Sequence, residues 1–147
     1  MEGEPLGALV SAAGAEGLPL PVALRIGVDV LRALASAHAT EPAPLVHGEL
    51  NPTHVTVGID GVARVSGLGV ARAIAGLAPM GTRNPDRLAY AAPERVKAMA
   101  AHAEAPLDPP ADLFSVGVIL WELLARQRLF SSKLESAVIQ KVQNAPI

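Results

Sequence analysis

The sequence predicts a mainly helical α+β domain with a small β-hairpin region. Helical periodicity dominates the chain, whereas alternation with a period of two is confined to short runs between residues 44 and 66. The chain has 147 residues, of which 50% are apolar and 18% charged. This composition supports a folded core rather than a disordered segment, and the absence of an internal repeat favours one unit.

The first half of the helical part comprises two predicted helices. Residues 4–10 predict a short helix that ends in the region of Gly14 to Gly17. A long helix is predicted from about Pro19 to His38, because proline is tolerated in a first helical turn and apolar residues then recur at helical spacing. These recurring residues are Leu24, Val28, Leu31 and Leu34 or Ala35.

Three short strands are predicted after a break at Thr40 to Pro44. They comprise residues 44–46, 54–57 and 62–66, and the last two flank a turn at Asp60-Gly61. Residues 69–92 form a long stretch punctuated by glycine and proline. A loop of this length in a compact domain is typically functional or disordered.

The last third of the chain predicts three more helices. A short helix covers Pro93 to His102, and residues 107–110 form a loop. The segment Ala111 to Ala125 is apolar nearly all round, which is typical of a helix in the middle of a core. The final helix, Ser132 to Gln143, is amphipathic.

Composition and charge exclude several classes of function. With 12 Lys and Arg against 14 Asp and Glu, the chain has no basic excess for binding nucleic acid. Without cysteine it can form neither disulfides nor thiolate zinc sites, which fits a reducing compartment. Its start lacks a cationic signal region, and the most apolar stretch, Phe114 to Trp121, is far shorter than the roughly 20 residues of a membrane helix. We therefore expect a cytoplasmic protein with no membrane segment.

Three weak motifs are disfavoured. His47, Glu49 and His54 could form a metal cluster, but their spacing differs from that of the helical His-Glu-x-x-His pattern. Residues 67–72 imitate the start of a dinucleotide fingerprint, although the third glycine is missing. A serine hydrolase would need a Gly-x-Ser-x-Gly elbow, which the sequence lacks.

Four segments in order resemble the C-terminal lobe of a protein kinase. His47 to His54 resembles the catalytic loop, and Val62 to Arg72 resembles the segment with the metal-binding Asp-Phe-Gly. Leu88 to Arg95 resembles the segment with Ala-Pro-Glu, and Asp112 to Leu123 resembles the central helix. The likeness is closest to bacterial serine/threonine protein kinases. It implies that residues 1–147 are a partial kinase-like domain, which starts just after the hinge, lacks the N-lobe and extends to the amphipathic helix after the central helix.

The resemblance also implies that every catalytic side chain of the lobe is altered. Glu49 replaces the base aspartate, Asn51 the phosphate-contacting lysine and His54 the metal-binding asparagine. In the next motif Gly67 replaces the metal-binding aspartate, and Leu68 replaces the phenylalanine. The residues before His47 contain no lysine that could contact the nucleotide phosphates.

The altered motifs predict a catalytically inactive pseudokinase that binds a protein partner or self-associates and has no cofactor. Glu49, at the base position, is the one candidate catalytic residue. An alternative is a degenerate serine/threonine kinase that uses ATP and magnesium, with Glu49 as the base and an N-lobe supplied elsewhere. Two others are a small-molecule phosphotransferase, because residues 47–50 resemble the His-Gly-Asp-Leu of aminoglycoside phosphotransferases, and a fragment without a role of its own.

The scaffold residues of the lobe keep the types found in the family. The resemblance implies that Asp112 accepts hydrogen bonds from the backbone of the catalytic loop, and that His47 belongs to a buried spine. Taken singly, the same residues could be a helix N-cap and a core histidine. We expect His47, Leu68 and Asp112 to tie the loops to the central helix.

Overall fold

A computed structural model describes residues 2–70, 85–101, 103 and 107–144 of the chain. The α-helices in this part are α1 Leu6–Ala13, α2 Leu20–His38, α3 Pro85–Leu88, α4 Pro93–Ala100, α5 Pro109–Ala125 and α6 Glu135–Asn144. The strands are β1 Gly3–Pro5, β2 Val55–Gly58 and β3 Ala63–Val65. The predicted α+β, mainly helical fold is therefore confirmed.

The sheet is antiparallel, with β2 in the centre. Strands β2 and β3 form the predicted hairpin, in which Val55 pairs with Val65 and Gly61 adopts a φ of 73° in the turn. On the other side of β2, Glu4 of β1 pairs with Val57. The predicted helix over residues 4–10 is therefore wrong at its start, because residues 3–5 extend the sheet and α1 begins at Leu6.

The strand predicted for residues 44–46 is absent from the structure. Both edges of β2 are already occupied by β1 and β3, so this strand leaves no edge for a further partner. Instead the N–H of Leu45 donates a 3.0 Å hydrogen bond to the carbonyl of Ala37 near the end of α2. The segment packs its backbone against a helix terminus, where unpaired carbonyls are available.

Helix α2 confirms the long helix predicted from about Pro19 to His38, but of the apolar residues on which the periodicity was read only Leu34 is buried. Its buried apolar residues are Ala23, Ile26, Val30, Leu34 and Ala37. Leu24, Val28 and Leu31 remain 49%, 44% and 39% exposed. The helix has apolar residues around most of its circumference, so periodicity predicted the helix without identifying its inward face.

Helix α5 is not buried on all sides, contrary to the expectation from its sequence. It buries Val116, Ile119 and Leu123, whereas Leu113 and Leu124 are about half exposed. The helix starts at Pro109, two residues earlier than predicted, because proline suits the first turn of a helix.

The remaining helices differ from prediction mainly at their ends. Helix α3 interrupts the loop predicted over residues 69–92, of which residues 71–84 lie outside the described part. Helix α4 starts at Pro93 as predicted and ends at Ala100; the predicted end, His102, is not among the described residues. Helix α6 begins at Glu135 rather than Ser132. Across the described ranges, none of the helices combines the length and apolarity needed to span a bilayer.

A buried carboxylate joins α2 to the sheet. Asp29 accepts hydrogen bonds from Arg25 at 2.9 and 3.0 Å and from the N–H of Ala63 in β3 at 3.2 Å. Burial acts to raise the pKa of Asp29, but the bonds from Arg25 and Ala63 outweigh it and lower that pKa. The hairpin is thereby anchored to α2.

Candidate functional site

Asp112, near the start of α5, holds the loop of residues 47–54. Its side chain is completely buried and accepts hydrogen bonds from the N–H groups of His47 and Gly48, both at 2.8 Å. The predicted contact between Asp112 and the loop backbone is therefore confirmed. A third partner, Nε2 of His38 at 2.8 Å, was not predicted and joins the end of α2 to the same carboxylate.

His47 uses both ring nitrogens within the fold. Nε2 lies 2.9 Å from the carbonyl oxygen of Ser66, which can only accept, so Nε2 bears the proton. Nδ1 accepts a hydrogen bond from the N–H of Glu49 at 3.3 Å. His47 therefore joins the loop to the end of β3. Leu68 is partly buried and packs against the hydrophobic core.

Glu49, the predicted base position, forms an ion pair with Arg87 of α3. The Glu49 side chain is 32% exposed, and its Oε2 atom accepts from Nη2 of Arg87. A carboxylate held in this way has a cation beside it, which stabilises its charged form and opposes proton transfer to it. Nothing in the local sequence indicates this pair, because its two residues are 38 positions apart along the chain.

Asn51, at the position of the phosphate-contacting lysine, forms hydrogen bonds that stabilise the loop in which it lies. Its Oδ1 accepts from the N–H of Thr53 at 2.9 Å and from the Thr53 hydroxyl at 2.6 Å. Its Nδ2 donates to the carbonyl of Glu49 at 3.1 Å. The amide is buried and caps the 3₁₀ turn Pro52–His54, so both ends of the side chain are occupied.

The two metal-binding positions of the kinase pattern are occupied by His54, which has an imidazole, and by Gly67, which has no side chain. The His54 ring centroid lies 4.8 Å from that of His47, and its buried Nδ1 has no hydrogen-bond partner. Gly67 has a φ of 81°, and a Cβ added there would lie 3.4 Å from Cδ2 of His54. No group of three or more His, Cys, Asp or Glu within the described ranges could hold a metal ion. The structure therefore does not bring His47, Glu49 and His54 together as such a group.

The environment of His54 makes folding stability depend on pH. Burial, and secondarily the neighbouring His47, lowers the pKa of His54 below its usual value of 6.5. As pH falls below 6.5, the unfolded chain takes up a proton that the folded chain does not, so stability is lost in this range. We expect His54→Asn to reduce this loss by several tenths to about 1 kcal/mol between pH 7.5 and 5.5. Urea unfolding at both pH values measures the effect, and identical losses for variant and parent would contradict it.

A second polar cluster surrounds Glu122 on α5. Its side chain is only 11% exposed and accepts from the hydroxyl of Tyr90 at 2.7 Å, Nε of Arg128 at 3.0 Å and the N–H of Leu129 at 3.0 Å. The Arg128 guanidinium also lies 5.3 Å from the centroid of the Tyr90 ring. Burial and then the bond to Glu122 raise the pKa of Tyr90. The sequence contained no local signal for this cluster.

A cavity of about 670 Å³ lies between α1, the 51–54 turn and the C-terminal half of α5. Its apolar lining comes mainly from α1 and α5, and its charged lining includes Arg87 and Arg128. The volume is within the range of ligand sites, but these two arginines are already bound to carboxylates of the chain. The cavity is therefore mainly apolar, and the charges of its two arginines are neutralised by carboxylates of the same chain.

Comparison with known proteins shows to which family the chain is similar. The family described as protein kinase domain matches residues 1–146. Tyrosine-protein kinase MasK of Myxococcus xanthus is 32% identical over 130 residues, which cover 83% of this chain and 19% of the relative. Serine/threonine-protein kinase PknL of Mycobacterium tuberculosis is 32% identical over 116 residues, covering 77% of this chain and 27% of the relative.

A plant protein gives a similar match. U-box domain-containing protein 34 of Arabidopsis thaliana is 27% identical over 135 residues, covering 86% of this chain and 15% of the relative. The chain thus spans well under a third of the length of these relatives. The family match over almost the whole chain agrees with the contact between Asp112 and the 47–54 loop, and the chain belongs to the protein kinase family.

Proposed function

We propose that this chain is a catalytically inactive kinase-like module, a partial kinase domain that acts by binding another protein or a second copy of itself. The main support is Gly67, since the position of the metal-binding aspartate has no side chain. The nearest groups to a Cβ there are the imidazoles of His54 and His47 rather than carboxylates. Magnesium prefers oxygen ligands, so these surroundings do not favour it.

The rest of the loop supports the same proposal. Phosphoryl transfer depends on positioned charge: metal ligands, a cation on the phosphates and a base for the hydroxyl proton. Asn51 is neutral and engaged in capping the 52–54 turn, and Glu49 is paired with Arg87. Each position therefore has a structural partner in place of a catalytic one. With no cysteine in the chain, we also propose a cytoplasmic location.

A second candidate is a degenerate protein kinase that uses ATP and magnesium with an N-lobe supplied elsewhere. The relatives named as kinases and the carboxylate of Glu49 favour it. We rank it below the inactive module because the Arg87 cation beside Glu49 disfavours transfer of a proton to that carboxylate.

Nucleotide binding tests the proposal directly. We expect neither ATP with magnesium nor ATP alone to raise the thermal midpoint or to give binding heat at millimolar concentration. A ligand at 100 times its Kd would stabilise the fold by about 2.7 kcal/mol, a shift that is readily measured. An active kinase domain serves as the positive control, and a saturable shift that requires magnesium would contradict the proposal.

The longest natural form of the protein tests the second candidate. Transfer of the γ-phosphate is measured for that form, for Glu49→Gln and for the control Glu4→Gln, which changes an exposed carboxylate in β1. We expect no transfer from any of the three. Activity that survives Glu4→Gln but disappears in Glu49→Gln would establish the kinase instead.

A further inference from the structure

We draw no further inference here: the strongest candidate, the cavity of about 670 Å³ between α1, the 51–54 turn and the C-terminal half of α5, has its two arginines already paired with carboxylates of the chain, and nothing in the structure shows what covers or fills it.

Discussion

Replacement of Asp112 by alanine is expected to lower the free energy of unfolding by about 3–5 kcal/mol. The carboxylate is completely buried and accepts from two backbone N–H groups and from His38. Alanine would leave these donors in the interior without an acceptor, and each unsatisfied group costs about 1–3 kcal/mol. The 47–54 loop would lose its attachment to α5, so urea unfolding is the measurement.

Asparagine provides the matched control for Asp112. Asp112→Asn keeps the size of the side chain and one acceptor oxygen, so we expect roughly half the loss caused by alanine. His38→Ala removes one donor and leaves the two backbone bonds intact, so its effect should also be smaller. A loss below about 1 kcal/mol for Asp112→Ala would contradict the assigned role of this carboxylate.

Replacement of Glu122 by alanine should lower the free energy of unfolding by about 2–4 kcal/mol. Its carboxylate accepts from Tyr90, Arg128 and the N–H of Leu129, and its side chain is 11% exposed. Without it, the largely buried Tyr90 hydroxyl and the Leu129 N–H would both lack this acceptor. Thermal and urea unfolding measure the loss.

A spectroscopic titration separates this role from simple packing. Because the bond to Glu122 helps to raise the pKa of Tyr90, Glu122→Ala should allow the phenol to ionise at lower pH, as followed by its absorbance near 295 nm. Glu122→Gln retains an acceptor without the charge and should fall between parent and alanine. The chain contains one tyrosine, so the signal is unambiguous. An unchanged titration in Glu122→Ala would contradict the contact.

Features determined by local sequence were predicted well. The prolines before α2 and at the start of α4 marked their beginnings, and Asp60-Gly61 marked the hairpin turn. The contact of Asp112 with the loop followed from resemblance, since nothing in the local sequence links residues so far apart. Where the signal was local or the motif specific, prediction and structure agree.

Features that depend on distant partners were not predicted. Strand β1 is three residues long and becomes a strand only because β2 offers it an edge. Residues 44–46 have strand-like composition but find no such edge. The ion pair of Glu49 with Arg87 joins the 47–54 loop to α3, so neither residue's neighbours along the chain reveal it. The role assigned to Glu49 as a degenerate base stays a prediction.

The structural roles of Asn51 and Gly67 make it costly to restore the kinase residues at these two positions. Lysine at this position would restore a cation but remove the acceptor of the Thr53 N–H and hydroxyl. Aspartate at Gly67 would place a side chain at a φ of 81°, where residues other than glycine are strained. Either of these two kinase residues, reintroduced singly, would therefore reduce stability before the others could make it useful. With such epistasis, selection for stability acts against a stepwise return of these positions to the kinase residues.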